Sequence, residues 1–280
     1  MTNDIGIVLG RLSPPVPGRL QAFPWRSWRE EFSRARASGF ASLEWVFDGD
    51  RHEENPIWTA DGTAEIREYI ADTGIRVDSV CADYFMIHPL FGVAERVRAE
   101  TIQVLEQLIR QAAAIGIRTL LLPVLEGTEI RSGRDKRELL ECLRRPLELA
   151  RAHRLRIGLE TELPAEEYRA LVEEAGHPAL VVYYDVGNAT AQGFDVASDV
   201  RILGPHLGGV HIKDRRRGGP SVALGRGDVD FPAFFAALAE AEYGGTLVLQ
   251  PATTADYLGA AATNLTFVRG HLQAAATRTR

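Results

Sequence analysis

The chain has 280 residues, 45% of them hydrophobic and 25% charged, with a formal net charge of -6. That length can bury one large core, and the composition is that of an ordinary globular protein. The acidic balance argues against nucleic acid as the main partner, because neutralising phosphates needs a basic footprint; a small anionic ligand needs only a local cationic pocket.

Two cysteines, Cys81 and Cys142, have no metal-type spacing and read as reduced structural thiols of a cytoplasmic protein. The opening "MTNDIGIVLG" has neither the basic segment nor the long apolar run of a secretion signal. No stretch approaches the roughly 18 apolar residues of a membrane span.

Short apolar runs recur along the chain as predicted strands: residues 5–10, 42–47, 75–82, 119–124, 155–160, 180–185, 208–214 and 246–250. Their near-continuous apolar character predicts burial on both faces, as in a parallel sheet. Amphipathic segments lie between them. Ser27 with Glu30 has the spacing of a capping box at the start of the first helix. Asp72-Thr73-Gly74 reads as a helix end before a strand. In residues 94–115, Val97, Leu105, Leu108, Ile109 and Ala112 share one helical face, and Gly116 is placed to end that helix. Eight βα units without a dividing linker predict a single (β/α)8 TIM-barrel domain spanning residues 1–280. A doubly wound open sheet is the alternative, but no G-x-G-x-x-G follows the first strand. Long loops at 48–61, after 160 and at 215–231 would build a site on the C-terminal face.

Four successive predicted strands carry polar residues at or near their ends: Glu160, Asp185, His211 and Gln250. Each has an ordinary structural reading, since strand-end acids cap helices and a lone strand histidine is usually a hydrogen-bonded core residue. Together they predict a divalent-metal site. Oxygen donors favour Mn²⁺ or Mg²⁺, and the imidazole also admits Co²⁺ or Zn²⁺.

The segments "TGIRVDSVCADYF", "IGLETEL", "YYDVGNATAQGFD", "GGVHIKD", "GRGDVDFPAFF" and "YGGTLVLQ" resemble the xylose-isomerase-like TIM-barrel superfamily of sugar-phosphate isomerases and epimerases, most of all its L-ribulose-5-phosphate 3-epimerase branch. The resemblance implies that Glu160, Asp185 and His211 hold one metal ion, that a ketose or ketose phosphate is the substrate, and that reaction passes through an enediolate. It further implies that Glu160 is a base for the carbon next to the carbonyl. It also makes a homodimer or higher homo-oligomer the expected assembly. The superfamily's endonuclease branch needs a richer set of histidine and carboxylate ligands, which this chain lacks.

The chain departs from that pattern at informative places. The family's fourth ligand, a glutamate that serves the opposite face of the stereocentre, is Gln250 here. An amide keeps the geometry but neither takes nor gives a proton near neutral pH. A histidine common after the third strand has no match, and Phe85 stands near its place. Glu44 and Glu126 read as polar lining residues or replacement acids. Asn188 is a substrate contact or a helix cap; Glu166 is a sugar contact or a first-turn helix charge. Lys213, Arg215, Arg216, Arg217 and Arg226 form a phosphate subsite or a solvated basic turn. The four tryptophans, all in the first quarter, read as core packing. A one-base isomerase, dehydratase or lyase on the same frame, and a degenerate sugar-binding barrel without catalysis, are the competing functional readings.

Overall fold

The computed structural model describes residues 3–278. The strands in chain order are β1 (Ile5–Val8), β2 (Ser42–Val46), β3 (Arg76–Cys81), β4 (Thr119–Val124), β5 (Arg156–Thr161), β6 (Leu180–Asp185), β7 (Leu207–Ile212), β8 (Asp214–Arg215), β9 (Ser221–Val222) and β10 (Leu247–Leu249). All but β8 and β9 close into a barrel of order β1-β10-β7-β6-β5-β4-β3-β2 in which every pairing is parallel. This is a (β/α)8 TIM barrel. β8 and β9 form a small antiparallel hairpin inside the loop after β7, which the sequence had presented as a plain loop.

The helices are α1 (Trp28–Ser38), α2 (Ala60–Thr73), α3 (Tyr84–Ile87), α4 (Glu95–Ile115), α5 (Gly133–Ala152), α6 (Ala165–Ala175), α7 (Val186–Gln192), α8 (Val196–Leu203), α9 (Phe231–Glu240) and α10 (Tyr257–Arg278). The main core lies between the outside of the barrel and the apolar helix faces. Leu105, Leu108, Ile109 and Ala112 of α4 are fully buried, whereas Val97, a turn and more earlier, is 42% exposed. Gly74 and Gly116 end α2 and α4 with φ of 72° and 96°, a region that a side chain disfavours. The capping box is not formed. Ser27 makes no side-chain cap bond, and its hydroxyl donates to Ser13 Oγ at 2.8 Å. Glu30 pairs with Arg34, one turn along, instead of reaching back.

Inside the barrel, Cys81, Leu121 and Tyr183 make a separate small apolar cluster. The Tyr183 ring fills space that neighbouring strands leave open. A Cβ on Gly209, its register partner on β7, would lie 2.3 Å from the ring, and one on Gly158 of β5 would lie 2.9 Å from it. Both cysteines are free and buried. Trp28 and Trp45 are core residues, with Trp25 and Trp58 packed against them. Among the described residues no helix is long and apolar enough to cross a membrane. With every barrel strand parallel, all their C-terminal ends meet at one mouth.

Candidate active site

β5, β6 and β7 bring Glu160, Asp185 and His211 together. One potential ligand atom from each lies within 4.8 Å of the others, and all three residues are buried. Strand register accounts for the meeting, since Asp185 sits directly opposite His211. Asp185 serves both roles that its sequence position allowed. Oδ1 accepts the Asn188 N–H at 2.8 Å and caps α7, leaving Oδ2 turned toward His211 Nδ1 at 3.6 Å.

The histidine is oriented from behind. His211 Nε2 lies 2.6 Å from Glu44 Oε1, and both side chains are wholly buried in the barrel interior. Glu44 Oε2 accepts from Ser79 Oγ at 2.7 Å and from the Tyr183 hydroxyl at 2.5 Å. A carboxylate gripping one ring nitrogen fixes the imidazole and frees the other nitrogen for a metal. Glu44 is therefore a core residue acting through His211 and does not face the cleft. Sequence spacing gave no sign of this cross-barrel contact.

The donor set fits a divalent ion. Asp185 Oδ2, His211 Nδ1 and Gln250 Oε1 are buried atoms without a hydrogen-bond partner, a costly state unless something else meets them. Lys213 Nζ stands 2.8 Å from Asp185 Oδ2 in an ion pair outside hydrogen-bonding geometry. Gln250 follows β10; its amide Nε2 donates to Gln21 Oε1 at 2.9 Å, which leaves the carbonyl oxygen as the available donor. Two carboxylates and one imidazole suit Mn²⁺, Mg²⁺, Co²⁺ or Zn²⁺.

Burial raises the Glu160 carboxyl to about 8, and the nearby Asp185 charge adds to the effect. Burial works against the His211 imidazolium, but Glu44 and Asp185 outweigh it and hold the group at about 10. Asp185 is kept well below the usual carboxylate range because Lys213 and His211 overcome its burial. Without metal at pH 7, His211 is thus cationic and Glu160 largely protonated. Metal binding should release protons from both, so affinity should rise with pH, by about tenfold per unit for each proton released. Calorimetric titration with Mn²⁺ in buffers of different ionisation enthalpy reads this directly. Binding with no proton release would show that these groups do not hold the ion.

Glu160 lines a cleft of about 620 Å³, with Asp185 and His211 buried behind it. Its lining includes Arg11, Gln21, Asp83, Glu126, Glu160, Asn188, Lys213, Arg215 and Gln250. Asn188 bridges two sides of the site. Its Nδ2 donates to Glu160 Oε1 at 2.9 Å, and its Oδ1 accepts from Lys213 Nζ at 3.1 Å and Arg215 Nη1 at 2.9 Å. Other sequence candidates stand apart. Arg217 and Arg226 are exposed and do not line the cleft; their backbone N–H groups bind Asp228 and Asp214. Glu166 is exposed in the first turn of α6. Phe85 is core, and the residues after β3 that line the cleft are Asp83, Met86 and Ile87. Gln21, Asp83 and Arg11 escaped the sequence reading because they sit in irregular loops without a periodic signal.

A family model described as "Xylose isomerase-like TIM barrel" matches residues 32–269. The chain belongs to that family. Among curated members, L-ribulose-5-phosphate 3-epimerase UlaE of Escherichia coli K12 is 26% identical over 233 residues, covering 80% of this chain and 81% of the relative. In three dimensions this xylose isomerase-like barrel is similar to a structure of L-ribulose 3-epimerase, with a TM-score of 0.79 at 20% identity, covering 99% of this chain and 97% of the other. It is similar also to 3-keto-D-glucoside 4-epimerase YcjR of E. coli, with a TM-score of 0.76 at 20% identity and coverage of 96% and 100%. At those identities the structural likeness establishes the fold alone.

Proposed function

We propose that this family member is a divalent-metal-dependent epimerase or isomerase of ketoses or ketose phosphates. The observation that carries the reading is the convergence of Glu160, Asp185 and His211 donor atoms within 4.8 Å, with Glu160 lining a large cleft. The 3-epimerase activity named for the UlaE relative agrees with it. When bound, the metal supplies Lewis-acid stabilisation of the negative charge that develops on the ketone oxygen. The protein's own residues do the rest. Glu160, with Asn188 holding its Oε1, takes the proton from the carbon next to the carbonyl. Gln250 keeps the fourth ligand position without its proton chemistry.

The test is proton exchange. Mn²⁺-loaded protein in D₂O should exchange the C3 hydrogen of L-ribulose 5-phosphate, seen by proton NMR, and produce the C3 epimer. No exchange at C3 or C1 with that ketose phosphate, its epimer or the free sugars would overturn the reading. Gln250 favours a second reading, a one-base enzyme on the same frame, in which exchange occurs without inversion.

A phosphate on the substrate would be read by Lys213 and Arg215, whose side chains line the cleft. Arg215→Ala should weaken a phosphorylated ketose by about 10–100-fold, the value of one charge-assisted hydrogen bond, and the free sugar much less. Arg226→Ala should leave both nearly unchanged. Equal losses for the two ligands in Arg215→Ala would rule out phosphate recognition here.

A further inference from the structure

A 3-epimerase needs a proton donor on the face of the stereocentre away from its base, and Gln250 is not one. The barrel order divides the mouth into two arcs. Glu160, Asp185 and His211 occupy the arc of β5, β6 and β7. The facing arc runs from β10 through β1 and β2 to β3. A chain of side chains spans it: Gln250 Nε2 donates to Gln21 Oε1 at 2.9 Å, and Gln21 Nε2 donates to Asp83 Oδ2 at 2.7 Å. Gln21 lies in the loop between β1 and α1, and Asp83 lies just past β3.

Asp83 has features that structural duty does not explain. It stands at the N-terminus of α3 yet makes no side-chain cap bond there. Its carboxyl turns into the cleft wall, where Oδ1 accepts from the Cys81 thiol at 3.1 Å. Among the described residues no cation forms a salt bridge with it. Burial keeps this carboxyl above the usual range. The other acids at hand fail on pairing or position: Asp48, which lines the cleft just past β2, accepts the Phe23 N–H at 3.1 Å and pairs with Arg19 at 4.0 Å. Glu44 is sealed inside the barrel against His211. Glu126 is exposed just past β4, beside the strand that carries Glu160.

We propose that Asp83 is the second catalytic residue, delivering a proton to C3 on the face opposite Glu160; this rests on the epimerase reading above. Glu160 carboxylate takes the C3 proton. The C–H electron pair becomes the C2=C3 bond, and the carbonyl pair moves onto O2. The C2=O bond then re-forms while C3 takes a proton from the Asp83 carboxyl on the other face. Glu160 ends protonated and Asp83 ionised, with no net redox change. Proton exchange with water through the open cleft, or a turnover from the other epimer, restores the starting state.

The experiment uses the full chain loaded with Mn²⁺ in D₂O, with L-ribulose 5-phosphate as probe and two proton-NMR readouts, C3 exchange in the unconverted ketose and formation of the epimer. Wild type should do both. Asp83→Asn should lose about 10²–10⁴ in inversion, the usual range for a positioned acid or base, while C3 exchange persists through Glu160. Glu160→Gln should lose both. Asp83→Ala, checked for unchanged melting temperature and Mn²⁺ affinity, should repeat the split. If exchange and inversion fall together in the Asp83 variants, or neither falls, Asp83 is not the acid and the proposal fails. Wild-type protein that exchanges no C3 hydrogen would instead overturn the epimerase reading on which it stands.

Discussion

Glu44→Ala is expected to destabilise the protein by about 3–5 kcal/mol, the usual cost of removing one partner from a buried ion pair. The change strands three groups at once: the His211 ring and the hydroxyls of Ser79 and Tyr183 all lose their acceptor inside the barrel. Mn²⁺ affinity should fall by about 10–100-fold, because the histidine loses the partner that fixes its orientation. Chemical denaturation and a Mn²⁺ titration measure the two effects. The metal-free protein should also show the ion pair in its pH dependence. The His211 pKa is raised from 6.5 to about 10, so its contribution is fully present below about pH 6.5 and is lost as pH rises through about 10. Glu44→Gln, which keeps the shape and removes the charge, should flatten that dependence. A Glu44→Ala protein that unfolds at the wild-type denaturant concentration would show that this contact is not structural.

Gln250→Glu should tighten Mn²⁺ binding, since the buried unpartnered carbonyl oxygen of Gln250 becomes a charged donor at the same place. Sequence alone leads one to expect a matching gain in 3-epimerase turnover. The facing arc changes that expectation. With Asp83 returning the proton, Gln250→Glu should alter wild-type inversion little, yet restore about 10²–10⁴ of inversion to the Asp83→Asn background. The amide's loss of its bond to Gln21 is partly offset by Arg11, whose Nη2 also reaches Gln21 Oε1, at 3.3 Å. A gain of a hundredfold or more from Gln250→Glu in wild-type protein would mean that this arc holds no working acid. Stereochemical assay of the four proteins side by side decides between the outcomes.

Eight apolar runs and their spacing were enough to assign the barrel, because a strand buried on both faces writes a continuous apolar segment whatever surrounds it. Predicted and observed strands agree to within two residues at most ends. The same parallel geometry makes strand-end residues converge, so Glu160, Asp185 and His211 could be picked out one strand at a time. Resemblance to known relatives supplied the chemistry expected of them. Other features depended on which side chains meet across the barrel or between loops. Glu44 reaches His211 over 167 residues of chain, and Gln250 reaches Gln21 over 229. No local period records such contacts. The basic turn misled for the same reason. Of its arginines, Arg215 enters the cleft because the hairpin of β8 and β9 turns there, while Arg217 and Arg226 are left in solvent. Asp83 carried no signal in the sequence, and only the tertiary structure turned its carboxyl toward the site. Strand assignment depends on side-chain type repeated along the chain, whereas a catalytic constellation depends on distances that closure of the barrel alone creates.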